Sequence, residues 1–89
     1  MNFLVEIKEL NWLGTSAIPE DGIDIKVKVR STRPAEEAKL YQGQNDDEAY
    51  FLLKQPEYGV SSGQAAVFYD DGRLLGGGWI TKAETSFTL

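Results

Sequence analysis

The chain has 89 residues, with 14 acidic and nine basic side chains, a formal net charge of −5 and a pI of about 4.6. It contains neither cysteine nor histidine, which excludes disulfides, thiolate zinc sites, thiol nucleophiles and imidazole bases. No apolar run approaches the ~20 residues that cross a bilayer, and no signal peptide is evident, so we expect one soluble, cytoplasmic domain over residues 1–89.

The first predicted element is a strand near residues 3–10. Phe3, Val5 and Ile7 alternate with neighbours that face the other way, which is the period of a strand with one buried face. Residues 15–22 are rich in turn-forming side chains and favour a loop.

The clearest alternation in the chain runs from Ile23 to Arg30. One face carries Ile23, Ile25, Val27 and Val29, and the other carries Asp24, Lys26, Lys28 and Arg30. This pattern predicts a second strand. Pro34 cannot donate to a sheet ladder, so we expect a corner at residues 31–34.

Residues 35–41 are compatible with either a helix or a strand. Their composition has good helix propensity, but Ala38 and Leu40 also alternate with charged neighbours, and the adjacent segments favour a strand. A polar turn follows at residues 43–47. Residues 49–53 then form a run that is apolar on both faces, which predicts a central or covered strand.

The end of the chain carries a strong hairpin signal. Asp71-Gly72 separates the apolar runs 64–69 and 73–75, and both turn residues tolerate positive φ. The last strand is predicted to continue through Ile80. Six or seven short strands without a convincing helix predict an all-β fold, a small antiparallel barrel or sandwich.

Ordered motifs along the chain resemble one enzyme family. They are Glu9–Leu13, Lys26–Pro34, Gln55–Tyr69 and Leu74–Ile80, of which the third ends in Gly-Gln-Ala-Ala-Val-Phe-Tyr and the fourth contains Leu-Gly-Gly-Gly-Trp-Ile. Together they are similar to the C-terminal β-barrel of bacterial tRNA-specific 2-thiouridylases. The resemblance implies a six- to seven-stranded antiparallel barrel of the type found in elongation factor Tu domain 2 and in aminomethyltransferases.

The same resemblance implies an enzyme that uses ATP to activate a wobble uridine of tRNA and replaces its 2-oxygen with sulfur. In that family an N-terminal domain carries the ATP-pyrophosphatase loop and two catalytic cysteines. This chain has no Ser-Gly-Gly-x-Asp-Ser segment and no cysteine. We therefore expect no catalytic residue, cofactor site or metal site here, with ATP bound elsewhere in the parent enzyme. The expected partners are tRNA and the N-terminal and central domains of the parent enzyme, and no membrane contact is expected. The chain is expected to be either a domain cut from that enzyme or a free-standing relative.

Four basic residues form the candidate RNA-binding site. Lys26, Lys28 and Arg30 share the outward face of the second strand at a spacing of about 6.6–6.8 Å, close to that of successive phosphates, and Arg33 extends the row. Such contacts would position an RNA without reading its sequence. The alternative is a solvated strand face on a barrel that packs against a neighbouring domain or protein without RNA contact, which the acidic total favours.

The remaining motifs have structural interpretations. Gly76-Gly77-Gly78 lacks the Lys and Ser/Thr of a phosphate-binding loop, so a bulge or a close backbone approach is expected. The carboxylates at residues 46–48 and 70–71 fit solvated turns. We expect Tyr69 and Trp79 to fill the core, and we retain Trp12 and Tyr58, both beside turns, as candidates for base stacking.

Overall fold

The computed structural model describes residues 2–14, 16–29, 35–53, 60 and 62–86, and within these residues six strands form a closed barrel. The strands are β1 (Asn2–Trp12), β2 (Ile23–Lys28), β3 (Glu36–Gln42), β4 (Ala49–Leu53), β5 (Ala65–Asp70) and β6 (Arg73–Ser86). Their order around the barrel is β1-β4-β3-β2-β5-β6, with β6 paired back to β1, and every pairing is antiparallel. The predicted all-β antiparallel barrel is confirmed.

Strand β3 resolves the ambiguous segment in favour of a strand. Leu40 is fully buried and lies opposite Ile23 on β2 and Phe51 on β4. The helix that the local propensity allowed is therefore wrong, because ladders on both sides and burial of one face outweigh a modest intrinsic preference.

The barrel interior is filled by one cluster of apolar side chains, and no buried polar residue occurs among the described residues. At its centre Val5, Leu40, Phe51 and Phe68 have no exposed surface. Ile18, from the loop between β1 and β2, is also buried in this cluster. The loop itself was predicted, whereas its contribution to the core was not.

Strands β1 and β6 run farther than predicted because they pair with each other over most of their length. Their ladder extends from Asn2 opposite Ser86 to Trp12 opposite Gly76, with two register shifts on the way. Residues 81–86 show no apolar alternation, so this extension had no signal in the sequence.

The three consecutive glycines allow close backbone contacts, as predicted. A Cβ on Gly77 would lie 2.6 Å from the carbonyl oxygen of Ala66, and one on Gly76 would overlap the carbonyl oxygen of Asn11. Gly76 also has a φ of +149°, and a register shift lies nearby in the β5–β6 ladder. Any larger residue would push neighbouring strands apart.

The predicted hairpin connects β5 to β6 through two residues. Asp71 has a φ of 49° and Gly72 a φ of 80°, and the flanking Asp70 and Arg73 are paired. Positive φ at both central positions is the pattern of the tight turn whose twist matches the flanking strands.

The end of β2 differs from the sequence prediction. Its last strand residue is Lys28, and Val29 lies half-buried beyond it, whereas the alternation suggested a strand through Arg30. Arg30 and the predicted corner at residues 31–34 lie outside the described residues.

Candidate nucleic-acid interface

Two of the predicted RNA-binding residues, Lys26 and Lys28, lie side by side on the outer face of β2. The residues that alternate with them, Ile25 and Val27, are buried in the core. Lys26 is exposed and Lys28 is half-buried. Because the strand alternates strictly here, both ammonium groups are directed to the outside of the barrel.

Neither of these lysines is neutralised by an ion pair within the part of the chain that the structure describes. The ion pairs found there join Lys39 to Asp24 at 4.0 Å and Lys82 to Glu84 at 3.3 Å. Lys26 has Glu37 as its cross-strand neighbour on β3, but the two side chains do not form an ion pair. The two ammonium groups therefore retain donors for an external anion.

The other two predicted RNA-binding residues, Arg30 and Arg33, lie outside the described residues, as does Tyr58. The structure thus brings together Lys26 and Lys28, and the continuation of the basic row stays a prediction.

The prediction that Trp79 and Tyr69 fill the core is wrong. Trp79 is 47% exposed, because its neighbour Ile80 takes the inward position on β6. The inward space beside Gly78 is occupied by the side chain of Ile7 instead of an indole ring. Tyr69 is half-buried on the outer face, while the adjacent Phe68 is fully buried.

Trp12, one of the two candidates for base stacking, is half-buried and packs against the core cluster. Its indole Nε1 donates a hydrogen bond to the carbonyl oxygen of Ser16 at 2.8 Å. This side chain fixes the start of the loop after β1 and offers only part of its ring to solvent.

A surface depression of about 610 Å³ opens beside β2, β3 and β4. Its charged lining residues are Asp24, Lys26, Glu37, Lys39, Asp70 and Asp71. Carboxylates outnumber ammonium groups there, so the depression does not favour a phosphate-bearing ligand.

The described residues contain no cluster of three acidic groups that could hold a metal ion. None of them belongs to a helix long and apolar enough to cross a membrane.

Comparisons with known proteins agree with this architecture. The family model described as the aminomethyltransferase β-barrel domain matches residues 4–80. The tRNA-specific 2-thiouridylase of Rhodospirillum centenum is 46% identical over 85 residues, which are 96% of this chain and 21% of the relative. The 2-thiouridylase of Maricaulis maris is 49% identical over 81 residues, covering 88% of this chain and 19% of the relative.

A third relative, the 2-thiouridylase of Parvibaculum lavamentivorans, is 44% identical over 89 residues, 93% of this chain and 22% of the relative. This chain spans about a fifth of the length of these curated relatives, and the matched part is their C-terminal domain. With the closed six-stranded barrel and a family match from residue 4 to residue 80, the chain belongs to the aminomethyltransferase β-barrel domain family, in the form found in tRNA-specific 2-thiouridylases.

Proposed function

We propose that this barrel is the tRNA-contacting accessory domain of a tRNA 2-thiouridylase. The relatives are named for that activity, and this chain corresponds to about a fifth of their length. In this proposal the larger enzyme binds ATP and thiolates the wobble uridine in the cytoplasm. The barrel has no catalytic residue and packs beside the N-terminal and central domains of that enzyme.

The observation that carries the proposal is the pair of outward lysines on β2. In a chain with a net charge of −5, Lys26 and Lys28 lie on one face with no ion-pair partner among the described residues. Lysines on a strand at i and i+2 can bind consecutive phosphates of an RNA backbone. Arg30 and Arg33 would extend the same contact.

The double variant Lys26→Ala/Lys28→Ala tests this function in the chain and in the enzyme that contains it. A matched control is Lys39→Ala/Lys82→Ala, which removes the same charge from two lysines already engaged in ion pairs. We expect the first variant to weaken tRNA binding, measured by fluorescence anisotropy at low salt, and the control to bind as the wild type does. Equal binding by all three proteins would contradict a docking role for these lysines.

A second candidate function is a barrel that only packs against another domain or protein. It is favoured by two exposed apolar side chains on β6, Leu74 at 48% and Trp79 at 47%. In that case the lysine variants would bind tRNA normally. Substitution of Leu74 or Trp79 would instead lower the melting temperature of the enzyme that contains the barrel.

A further inference from the structure

An unusual surface lies on the outer face of β5 and β6, and we name it the tryptophan face. Its members are Ala65, Val67, Tyr69, Leu74, Gly77 and Trp79. Leu74 and Trp79 are among the most exposed large hydrophobic residues of the described chain. No member of the face carries a charge, although 26% of the chain's residues are charged.

The strand register divides this face into three rows that run across the strands. Ala65 lies opposite Trp79, Val67 opposite Gly77, and Tyr69 opposite Leu74. With i to i+2 spacings of about 6.8 Å along a strand, the outer two rows lie about 13–14 Å apart.

The middle row protrudes less from the barrel surface than the outer two rows, because Gly77 has no side chain. From this register we expect a shallow transverse groove over Val67 and the backbone of Gly77, between Trp79 on one side and Tyr69 and Leu74 on the other.

Lysines lie on both flanks of this groove. On β2, Lys26 is the register partner of Tyr69 and Lys28 that of Val67. On β1, Lys8 is exposed and lies opposite Trp79. None of the three takes part in an ion pair among the described residues. The exposed indole ring of Trp79 thus lies between lysines on two different strands, β1 and β2, and these lysines are not in ion pairs among the described residues.

We propose that the tryptophan face binds an unpaired nucleotide of an RNA, with its base stacked on Trp79 and its phosphates held by Lys8 and Lys28. The inference deepens the proposed function and rests on it. A nucleotide is the partner that joins a planar apolar ring to anionic groups on either side, whereas a duplex hides its base faces and offers phosphates alone. An apolar protein segment would match the indole ring but would leave the flanking lysines without partners.

The test uses two RNA probes. One is an unstructured oligouridylate of about 12 nucleotides, a length within the site sizes of barrels that bind single strands. The other is a blunt RNA duplex of the same length. The variant is Trp79→Leu, which keeps an apolar side chain but removes the flat ring. The matched control is Tyr41→Leu on β3, on the opposite side of the barrel, where Tyr41 stacks on Tyr50 with ring centroids 5.0 Å apart. Circular dichroism verifies that each variant is folded.

We expect Trp79→Leu to weaken oligouridylate binding by about fivefold to 150-fold, the range for loss of one stacked base. Its duplex binding should stay unchanged, and Tyr41→Leu should bind both probes as the wild type does. Oligouridylate should also quench the tryptophan emission of the wild type. The emission of Trp79→Leu comes from Trp12 alone, because the chain has two tryptophans, and it should not respond. Equal oligouridylate affinity in wild type and Trp79→Leu would overturn the inference.

Failure of the inference can be separated from failure of the proposed function. If Lys26→Ala/Lys28→Ala weakens tRNA binding while Trp79→Leu changes no RNA affinity, stacking is wrong and backbone docking stands. If the lysine variant binds tRNA normally, the docking role of Lys26 and Lys28 is wrong whatever Trp79→Leu does. If the wild type binds neither probe and sediments as a dimer that Trp79→Leu dissociates, the face is a protein contact and the inference is overturned.

Discussion

Phe51 of β4 and Phe68 of β5 meet edge to face inside the barrel, with ring centroids 5.8 Å apart and ring planes at 75°. Both side chains are fully buried. The two strands are not neighbours in the barrel order, so this contact joins the walls across the interior. An edge-to-face pair is the favoured geometry for aromatic rings in a core.

Removal of either ring should destabilise the barrel strongly. We expect Phe68→Ala to lower the free energy of unfolding by about 3–5 kcal/mol, because it removes apolar contacts and leaves a cavity. The control is Val67→Ala, which truncates the half-buried neighbour on the outer face and should cost less than about 1 kcal/mol. Equilibrium urea unfolding measures both. Equal losses would mean that the barrel interior is not the main source of stability.

The glycine at position 76 should tolerate no side chain. Gly76→Ala would drive its Cβ into the carbonyl oxygen of Asn11, at a φ of +149°. Gly63 has a φ of +93° with nothing within 4 Å of a Cβ, so Gly63→Ala carries only the backbone penalty of about 1–2 kcal/mol. We expect the loss at position 76 to exceed the loss at position 63 in thermal unfolding. The reverse order would show that β1 and β6 approach each other less closely at Gly76 than the structure indicates.

The β5–β6 turn should be sensitive to branching at its first central position. Asp71 has a φ of 49°, a conformation that asparagine adopts readily and that valine strongly disfavours. We expect Asp71→Asn to leave the melting temperature nearly unchanged. Asp71→Val should lower it by about 4–16 °C, from about 1–2 kcal/mol at roughly 4–8 °C per kcal/mol for a domain of this size. Equal melting temperatures for the two variants would contradict the turn geometry.

The sequence predicted the barrel because its local signals agree with its packing. Alternation around Ile25 and Val27 marks a buried face, and Asp71-Gly72 marks a turn whose φ values the structure confirms. Residues 81–86 were missed because their partner is β1, at the other end of the chain. Pairing over such a separation depends on tertiary packing and leaves little trace in local composition.

The sequence predicted the outward lysines of the candidate site, but it did not predict that Trp79 is exposed beside them. The outward direction of Lys26 and Lys28 followed from period-two alternation. Trp79 was assigned to the core because large apolar side chains usually fill small barrels. It lies outside because Ile80 takes the inward position and Ile7 occupies the space beside Gly78. The alternation that directs Ile80 inward also directs Trp79 outward, and that was the signal available in the sequence.

Salt dependence offers the sharpest measure of whether the β2 lysines bind phosphates. Each lysine that neutralises a phosphate releases condensed counterions, so its loss should reduce the slope of log affinity against log salt by about 1. For Lys26→Ala/Lys28→Ala we expect a reduction of about 2 with tRNA, measured by anisotropy titrations across a salt series.

The matched variant Lys39→Ala/Lys82→Ala should leave that slope unchanged, because each of its lysines lies beside a carboxylate, Asp24 at 4.0 Å or Glu84 at 3.3 Å. If both variants reduced the slope equally, tRNA would be responding to net charge alone. The β2 lysines would then have no special role, since a diffuse attraction depends on the total charge and a docked backbone depends on where each charge lies.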